Sequence, residues 1–358
     1  MSNDKLSDYD YVLPEELIAK NHVMPRDKSR LLVLDKMSGK MKHDHFFDIL
    51  KYLKAGDLLV LNDSKVFPAR LFGKKVMTHG EVEILLNHKN EDGTWQAIGR
   101  GLKVGNRIIF KNSSLKAAVL SKNDATYNIL FNLSDEKLFA ELEKIGHVPL
   151  PPYIRKDDTK KDKEQYQTVY AKEKGSVAAP TAGLHFTNEL LDQIKAMGVI
   201  VEYVTLHVGL GTFEPVKEDN YKEHKIHQEF YSVRRKALEN IQTAKKEGRR
   251  VIAVGTTTTR VLETVFNNDV LPTPDSLLPT LSGWTNIFIY PGYQFLCVDG
   301  MITNFHLPKS SLLLLVSAFA GKENISAAYK KAIALEYRFY SYGDAMLIIK
   351  NSTSILTK

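Results

Sequence analysis

Cysteine is nearly absent from this sequence, since Cys297 is the only one among 358 residues. A single thiol excludes a disulfide framework and any zinc site built from several cysteines. It also excludes an iron–sulfur cluster of the kind that needs three cysteine ligands. We therefore expect a protein of a reducing compartment.

Long apolar runs are missing as well. The longest, SLLLLVSAFAG from Ser311, is too short to span a bilayer and predicts a buried strand or helix. The amino-terminal stretch MSNDKLSDYDYVLPEEL is acidic and has no apolar core, so we expect no signal peptide. These absences predict a cytoplasmic protein without a membrane partner, and we expect a monomer.

Acidic residues are in the minority. The chain has 49 Lys and Arg against 42 Asp and Glu, which gives a net charge of +7. Such an excess favours a polyanionic partner such as nucleic acid, through steering and counterion release. A lysine-rich proteome would produce the same total for no functional reason, so the charge alone leaves both interpretations open.

Short strands dominate one part of the chain. From position 70 to 133, segments such as VEILL, RIIF and TYNILFNL alternate with turns, which is typical of a small β-barrel or sandwich. Elsewhere apolar strands alternate with helices, and we also predict strands for IFIY, FLCV and LLLLV near the end. Prolines at 149, 151 and 152 mark a boundary. We predict a mixed α/β main domain, residues 1–65 and 151–358, interrupted by an inserted β-barrel domain, residues 66–150.

Two turns rich in Gly, Thr and His bracket one helix and one strand between Gly175 and Pro215. His185 and His207 each lie in such a turn, and polar residues in loops at strand ends often form sites. The alternative is that these are tight turns whose imidazoles pack against the sheet. Because two such turns flank one unit, we favour a site.

Two further strand ends carry polar residues. After the apolar run VIAV, Gly255 leads into Thr256–Thr259 at a predicted helix N-terminus, where exposed N–H groups would receive an anion. A simple threonine N-cap is the alternative there. His306 follows a polar Thr-Asn pair at another strand end, and we predict a functional role for it.

Several longer motifs point to one family. They are GSVAAPTAGLHFT, VTLHVGLGTFEPV, EHKIHQEFY, RRVIAVGTT, GWTNIFIYPGY, ITNFHLPKSSLLLLVSAFAG and YRFYSYGDAMLI, with NDSKVFPARL and GHVPLPPYI nearer the start. Together they closely resemble the S-adenosylmethionine:tRNA ribosyltransferase-isomerase family over nearly the whole chain. The resemblance implies an α/β main domain interrupted by a β-barrel. It also implies queuosine biosynthesis, in which the ribosyl part of S-adenosylmethionine moves onto 7-aminomethyl-7-deazaguanine at the tRNA wobble position. Epoxyqueuosine forms, while adenine and methionine leave.

The implied reaction needs proton transfer, which histidine suits. A base near the 5′ carbon and an acid near the adenine would serve best with pKa values near 7. The catalytic candidates are His185, His207 and His306, with His227 and Glu229 behind them and Asp344 to orient one of the rings. The substrate-binding candidates are Thr181, Gly209, Gly211, Thr212, Thr256, Thr257, Trp284, Phe305 and Tyr342.

The implied tRNA partner accounts for the positive charge. We expect phosphate contacts from Arg70, Arg100, Lys103 and Arg107, and an aromatic wall that receives the extruded base. S-adenosylmethionine is the expected co-substrate, with no permanently bound cofactor and no metal.

Two alternatives belong to other functional classes. One is a catalytically inactive RNA-binding protein that kept the fold. The other is a metal-dependent hydrolase built on His207, His224 and His227, although the sequence has no HExxH motif.

Overall fold

A computed structural model of the chain describes residues 4–154, 158–213, 216, 218–267 and 279–350. The helices within these ranges are α1 Asp135–Ile145, α2 Lys160–Gln165, α3 Asn188–Ala196, α4 Arg235–Lys246, α5 Thr256–Asn267, α6 Ser311–Ala320 and α7 Lys322–Ala334. The strands are β1 Arg30–Asp35, β2 Met41–His45, β3 Leu58–Asn62, β4 Ser64–Val66, β5 Arg70–Lys75, β6 Glu81–Lys89, β7 Trp95–Arg100, β8 Arg107–Ile109, β9 Lys116–Asn123, β10 Thr126–Phe131, β11 Glu173–Ser176, β12 Ile200–Leu206, β13 Glu229–Arg234, β14 Val251–Val254, β15 Thr280–Thr285, β16 Gly300–Asn304 and β17 Ala345–Ile349.

A sheet of nine strands forms the main body, in the order β15-β13-β12-β3-β14-β16-β17-β1-β2. The central run β12-β3-β14-β16 is parallel, and β17 then lies antiparallel to β16. Strands β1, β3 and β14 are continuous apolar runs, which is what a sheet covered on both faces requires. Leu32 and Leu34 belong to the core on one face, whereas Leu31 and Val33 belong to the core on the other.

A closed barrel of six strands, β10-β7-β6-β5-β8-β9, forms a second body with its own apolar core. Neighbouring strands of the barrel are antiparallel, and Trp95, Phe67 and Leu142 are among the side chains of its core. Helix α1 follows directly, and a bridge between Arg70 and His147 joins the two ends of the insertion. The predicted fold class, a mixed α/β main body with a small β-barrel, is confirmed. The limits 1–65, 66–150 and 151–358 stay a prediction, and the barrel strands fall within the second range.

The strands predicted in the last third were wrong. The leucine run lies in α6, where the Ser310 hydroxyl accepts the Leu313 N–H as an N-cap. Leucine favours helices, and a helix that is buried almost all round shows no polar face from which its period could be read. The segments IFIY and FLCV form no strand. No helix of the described ranges has the length and apolar character to cross a bilayer.

Helix α5 is fixed to the loop before β16 by a buried carboxylate. Glu263 has no exposed surface, and its oxygens accept the backbone N–H groups of Leu296, Cys297 and Val298 at 2.8–3.1 Å. The Tyr293 hydroxyl donates to the same carboxylate at 3.2 Å. One side chain therefore accepts the backbone N–H groups of a loop that pairs with no strand, and it holds the helix against that loop.

We expect Glu263→Ala to lower the free energy of unfolding by about 3 kcal/mol or more, because three buried N–H groups would lose their acceptors. Glu263→Gln keeps one acceptor oxygen and should cost about 1–2 kcal/mol. Urea unfolding measures both. Glu239→Ala is the matched control, since Glu239 pairs with Arg235 on the exposed side of α4 and should change stability by less than about 0.5 kcal/mol. A Glu263→Ala protein as stable as this control would contradict the assignment.

Candidate active site

A cavity of about 470 Å³ opens at one edge of the nine-stranded sheet. Strands β14 and β16 are parallel neighbours, so their carboxyl ends deliver Gly255 and Asn304 to the same edge. Ligand sites of open α/β sheets typically lie at such an edge. The lining residues are Ile18, Pro151, Tyr153, Tyr166, 178–182, Val208, 255–257, Arg260, 303–312, Tyr340 and Ser341.

His306 lines this cavity directly. Its Nε2 lies 2.7 Å from the Thr303 hydroxyl, and Nδ1 has no hydrogen-bond partner among the described residues. Its backbone is fixed from both sides, because the N–H donates to the Tyr329 hydroxyl at 2.9 Å and the carbonyl accepts from the Tyr11 hydroxyl. Burial lowers the pKa of His306 from 6.5 to about 3, so the ring is neutral at pH 7. The expectation of a pKa near 7 is therefore wrong for this residue.

His185 lies one layer behind the cavity. Its Nδ1 is 2.7 Å from the Ser29 hydroxyl, its Nε2 is 3.2 Å from Asn304 Nδ2, and its ring stacks on Phe46. Burial lowers the pKa of His185 to about 3. The amide of Asn304 accepts from the Thr181 hydroxyl at 3.1 Å and does line the cavity. The His185 ring does not line the cavity and is connected to it through Asn304, so its catalytic role stays a prediction.

His207 does not line the cavity either. Its ring packs against Gly175 and stacks on Phe230, with ring centroids 5.8 Å apart. A side chain at position 175 would collide with the imidazole, which explains the glycine there. Burial lowers the pKa of His207 to about 4, and its Nδ1 is buried without a hydrogen-bond partner among the residues that the structure describes. A common catalytic role would place His185, His207 and His306 around one cavity, and of the three only His306 lines it.

A second, small cavity of about 50 Å³ adjoins the first one, and Arg260, Ser311 and Leu312 line both. His227, Glu229 and Gly211 line the small cavity only. Glu229 is buried, and its carboxylate accepts the Gly209 N–H at 2.9 Å and the Arg260 guanidinium. Glu229 is thus committed to an ion pair and a loop amide, which does not fit the proton-transfer role predicted for it.

The metal alternative finds no support in the geometry. His224 Nδ1 lies 2.8 Å from the Glu218 carboxylate, whereas the His207 ring packs against Gly175 and Phe230. Within the described ranges, no group of three or more His, Cys, Asp or Glu side chains could hold a metal ion.

Asp344 has a structural role. Its two carboxylate oxygens accept the backbone N–H groups of Arg30 and Arg338, each at 2.8 Å, and the side chain is buried. These bonds tie the start of β1 to the turn before β17. The carboxylate does not contact a histidine ring, so its predicted role of orienting one was wrong.

The predicted substrate-binding residues separate into two groups. Those that line the large cavity are Thr181, Thr256, Thr257 and Phe305. Those outside it are Gly209, Gly211, Trp284 and Tyr342; Trp284 is 44% exposed and Tyr342 is buried behind Tyr166. The side chain of Thr212 lies outside the described residues. Sequence reasoning missed Asn304 and Arg260, which lie directly beside predicted residues.

The predicted tRNA contacts lie on the barrel. Arg100, Lys103 and Arg107 are exposed, whereas the Nε of Arg70 lies 3.4 Å from the Glu83 carboxylate. Two exposed lysines that the sequence analysis did not select extend the positive surface. Lys74 and Lys116 stand on either side of Ile109 in the register of β5, β8 and β9.

Comparison with known proteins identifies the family. The family described as queuosine biosynthesis protein matches residues 6–348. A protein of Caldanaerobacter subterraneus subsp. tengcongensis named S-adenosylmethionine:tRNA ribosyltransferase-isomerase is 53% identical over 348 residues, which cover 96% of this chain and 100% of that one. A protein of Staphylococcus aureus with the same name is 50% identical over 347 residues, covering 96% and 99%.

A solved structure agrees with these matches. The crystal structure of S-adenosylmethionine tRNA ribosyltransferase from Thermotoga maritima is 38% identical in sequence, with a TM-score of 0.56, and it covers 96% of this chain and 100% of its own. The resemblance found in the sequence motifs is thereby confirmed. This chain belongs to the queuosine biosynthesis protein family.

Proposed function

We propose that this protein is an S-adenosylmethionine:tRNA ribosyltransferase-isomerase of queuosine biosynthesis. It moves and isomerises the ribosyl part of S-adenosylmethionine onto 7-aminomethyl-7-deazaguanine at the wobble position of tRNA. The product is epoxyqueuosine, and adenine and methionine are released. The observation that carries the proposal is the cavity where His306 and the first turn of α5 meet, and the names of the relatives support the reaction.

The cavity suits a sulfonium donor. Among the described residues no Asp or Glu lines it, while Tyr153, Tyr166, Phe305 and Tyr340 contribute aromatic surface. Aromatic faces attract a sulfonium as they attract other cations, and they stack well on adenine. The volume of about 470 Å³ is in the range of small-molecule sites.

His306 is the proton carrier in this proposal. A sulfonium acidifies the C–H bond of the adjacent 5′ carbon, so a neutral imidazole nearby can take that proton. The resulting imidazolium then gives this proton to the departing adenine. Adenine leaves with the electron pair of the glycosidic bond, and the aminomethyl nitrogen of the tRNA base forms the new bond to the ribosyl carbon skeleton and loses a proton. A ribose hydroxyl gives up its proton and closes the epoxide as methionine leaves with the electron pair of the carbon–sulfur bond.

The barrel supplies the tRNA surface in this proposal. Exposed cations on β7, β8 and the loop between them are free to neutralise phosphates, while the wobble base leaves its stack to reach the cavity. The net charge of +7 supports a polyanionic partner.

Mass spectrometry of the tRNA nucleosides tests the function as a whole. After incubation with S-adenosylmethionine and tRNA that carries 7-aminomethyl-7-deazaguanine, the precursor nucleoside should disappear and epoxyqueuosine should form, with release of adenine. Folded protein that binds tRNA but leaves the precursor unchanged would favour the catalytically inactive RNA-binding alternative.

We expect His306→Ala to lower kcat by about 100-fold or more, the scale of a lost general acid–base group, while tRNA affinity changes only slightly. The assay is adenine release at saturating tRNA. His207→Ala is the matched comparison, since that ring lies outside the cavity and its loss should lower kcat less than about tenfold. Equal losses of kcat in the two variants would mean that a histidine's place in the cavity does not determine whether it is catalytic.

We expect Arg100→Ala and Arg107→Ala each to weaken tRNA binding and to reduce the slope of log affinity against log salt by about one. Arg70→Ala should have a smaller effect, because Glu83 already pairs with that guanidinium. Filter binding between low and moderate salt measures the slopes. Unchanged salt slopes in both exposed-arginine variants would show that these barrel residues do not contact tRNA phosphates.

A further inference from the structure

One buried cation in the wall of the cavity lacks a full set of partners. Arg260 is only 7% exposed; its Nη1 donates to Glu229 and its Nε to the Ile287 carbonyl at 3.3 Å. Its Nη2 is buried and has no hydrogen-bond acceptor in the described part of the chain. Buried N–H groups of charged side chains are rarely left without an acceptor, since the desolvation is then uncompensated. This N–H group therefore has an unused capacity to bind an oxygen atom of a ligand.

A second set of donors converges on the same wall. Thr256 and Thr257 begin α5 and line the large cavity together with Arg260. Residues three and four positions apart share one face of a helix, so the Arg260 side chain lies on the face that carries these two residues. The first N–H groups of a helix have no partner within the helix and carry partial positive charge. Arg260 and the helix N-terminus thus present their donors to one place.

Glu229 orients the Arg260 guanidinium and accepts no hydrogen bond from its Nη2. Its carboxylate holds Nη1 of Arg260 and the Gly209 N–H, so the guanidinium is fixed in orientation while Nη2 stays available. The ion pair is neutral as a whole, so an incoming anion meets no net repulsion. A carboxylate is the natural ligand, because an arginine N–H and helix amides both favour oxyanions.

The burial of Arg260 distinguishes two sources of such an oxyanion. A phosphate belongs to the tRNA backbone, and a 7% exposed guanidinium is out of reach of a backbone that runs over the protein surface. A carboxylate at the end of a short aliphatic chain can enter the cavity. S-adenosylmethionine carries its carboxylate on such a chain, beyond the sulfonium.

We propose that Nη2 of Arg260, together with the first amides of α5, binds the methionyl carboxylate of S-adenosylmethionine. The assignment rests on the proposed function. It makes Arg260 a binding residue that anchors the departing methionine, and it makes Glu229 the positioning residue for Arg260.

Calorimetric binding of S-adenosylmethionine and of decarboxylated S-adenosylmethionine tests the assignment. Removing either residue alone would strand the buried charge of the other, so the variant to compare with wild type is the double variant Glu229→Gln with Arg260→Met, which removes both charges. Wild type should bind the carboxylate-bearing ligand at least about tenfold more tightly, the scale of a hydrogen bond between charged groups. In the double variant the two affinities should agree within about threefold.

Two results would overturn the proposal. One is a double variant that keeps the wild-type preference for the carboxylate-bearing ligand. The other is wild-type protein that binds both ligands equally, and this measurement needs no variant to fold. Wild-type protein that binds neither ligand would contradict the proposed function itself.

A tRNA measurement separates the two oxyanion sources. The double variant should keep the tRNA affinity and salt slope of wild type. If it loses tRNA affinity while the preference between the two small ligands is unchanged, the oxyanion is a phosphate and the carboxylate assignment fails.

Discussion

The buried ion pair between Glu229 and Arg260 is the interaction on which the site depends. It joins the first residue of β13, the loop after β12 through the Gly209 N–H, and the second turn of α5. Two charges taken out of water are tolerable only when each is paired and hydrogen-bonded, and removing one partner leaves the other uncompensated. The pair therefore sets the position of α5 relative to the sheet edge, and Glu263, one turn further along, fixes the same helix to the loop at 296–298.

The electrostatics of the cavity follow from this pairing. The Glu229 carboxylate is paired with Arg260, and burial keeps His306 neutral. The described lining of the cavity therefore offers a ligand hydrogen-bond donors and aromatic rings, and no carboxylate. A ligand with a positive sulfur and a negative carboxylate matches such a surface at two separate points, one aromatic and one cationic. A neutral histidine also avoids the repulsion that an imidazolium would exert on the sulfonium.

Sequence reasoning predicted the fold class and two strand ends that line the large cavity, because βα turns and short barrel strands leave local patterns. It could not predict which histidines reach the cavity. His185 lies in a turn and His306 just after a strand, and neither local pattern shows whether the ring reaches the cavity. His185 is enclosed by Ser29 and Phe46, which come from a segment more than 100 residues earlier. Arg260 was missed for a related reason. An arginine in the second turn of a helix looks solvent-exposed until Glu229, 31 positions away, is known to face it.

The segment that leaves the barrel also connects the barrel to the cavity. The chain that returns from the barrel is bridged to β5 through His147 and Arg70, and only a few residues later it supplies Pro151 and Tyr153 to the cavity wall. The Tyr153 hydroxyl accepts the Ser341 N–H at 3.1 Å, so this wall is tied to the turn before β17. One short segment thus connects the cationic barrel strands to the cavity. A phosphate backbone held by Arg100 and Arg107 would for this reason lie at a fixed distance from His306, which is what a reaction at one extruded base requires.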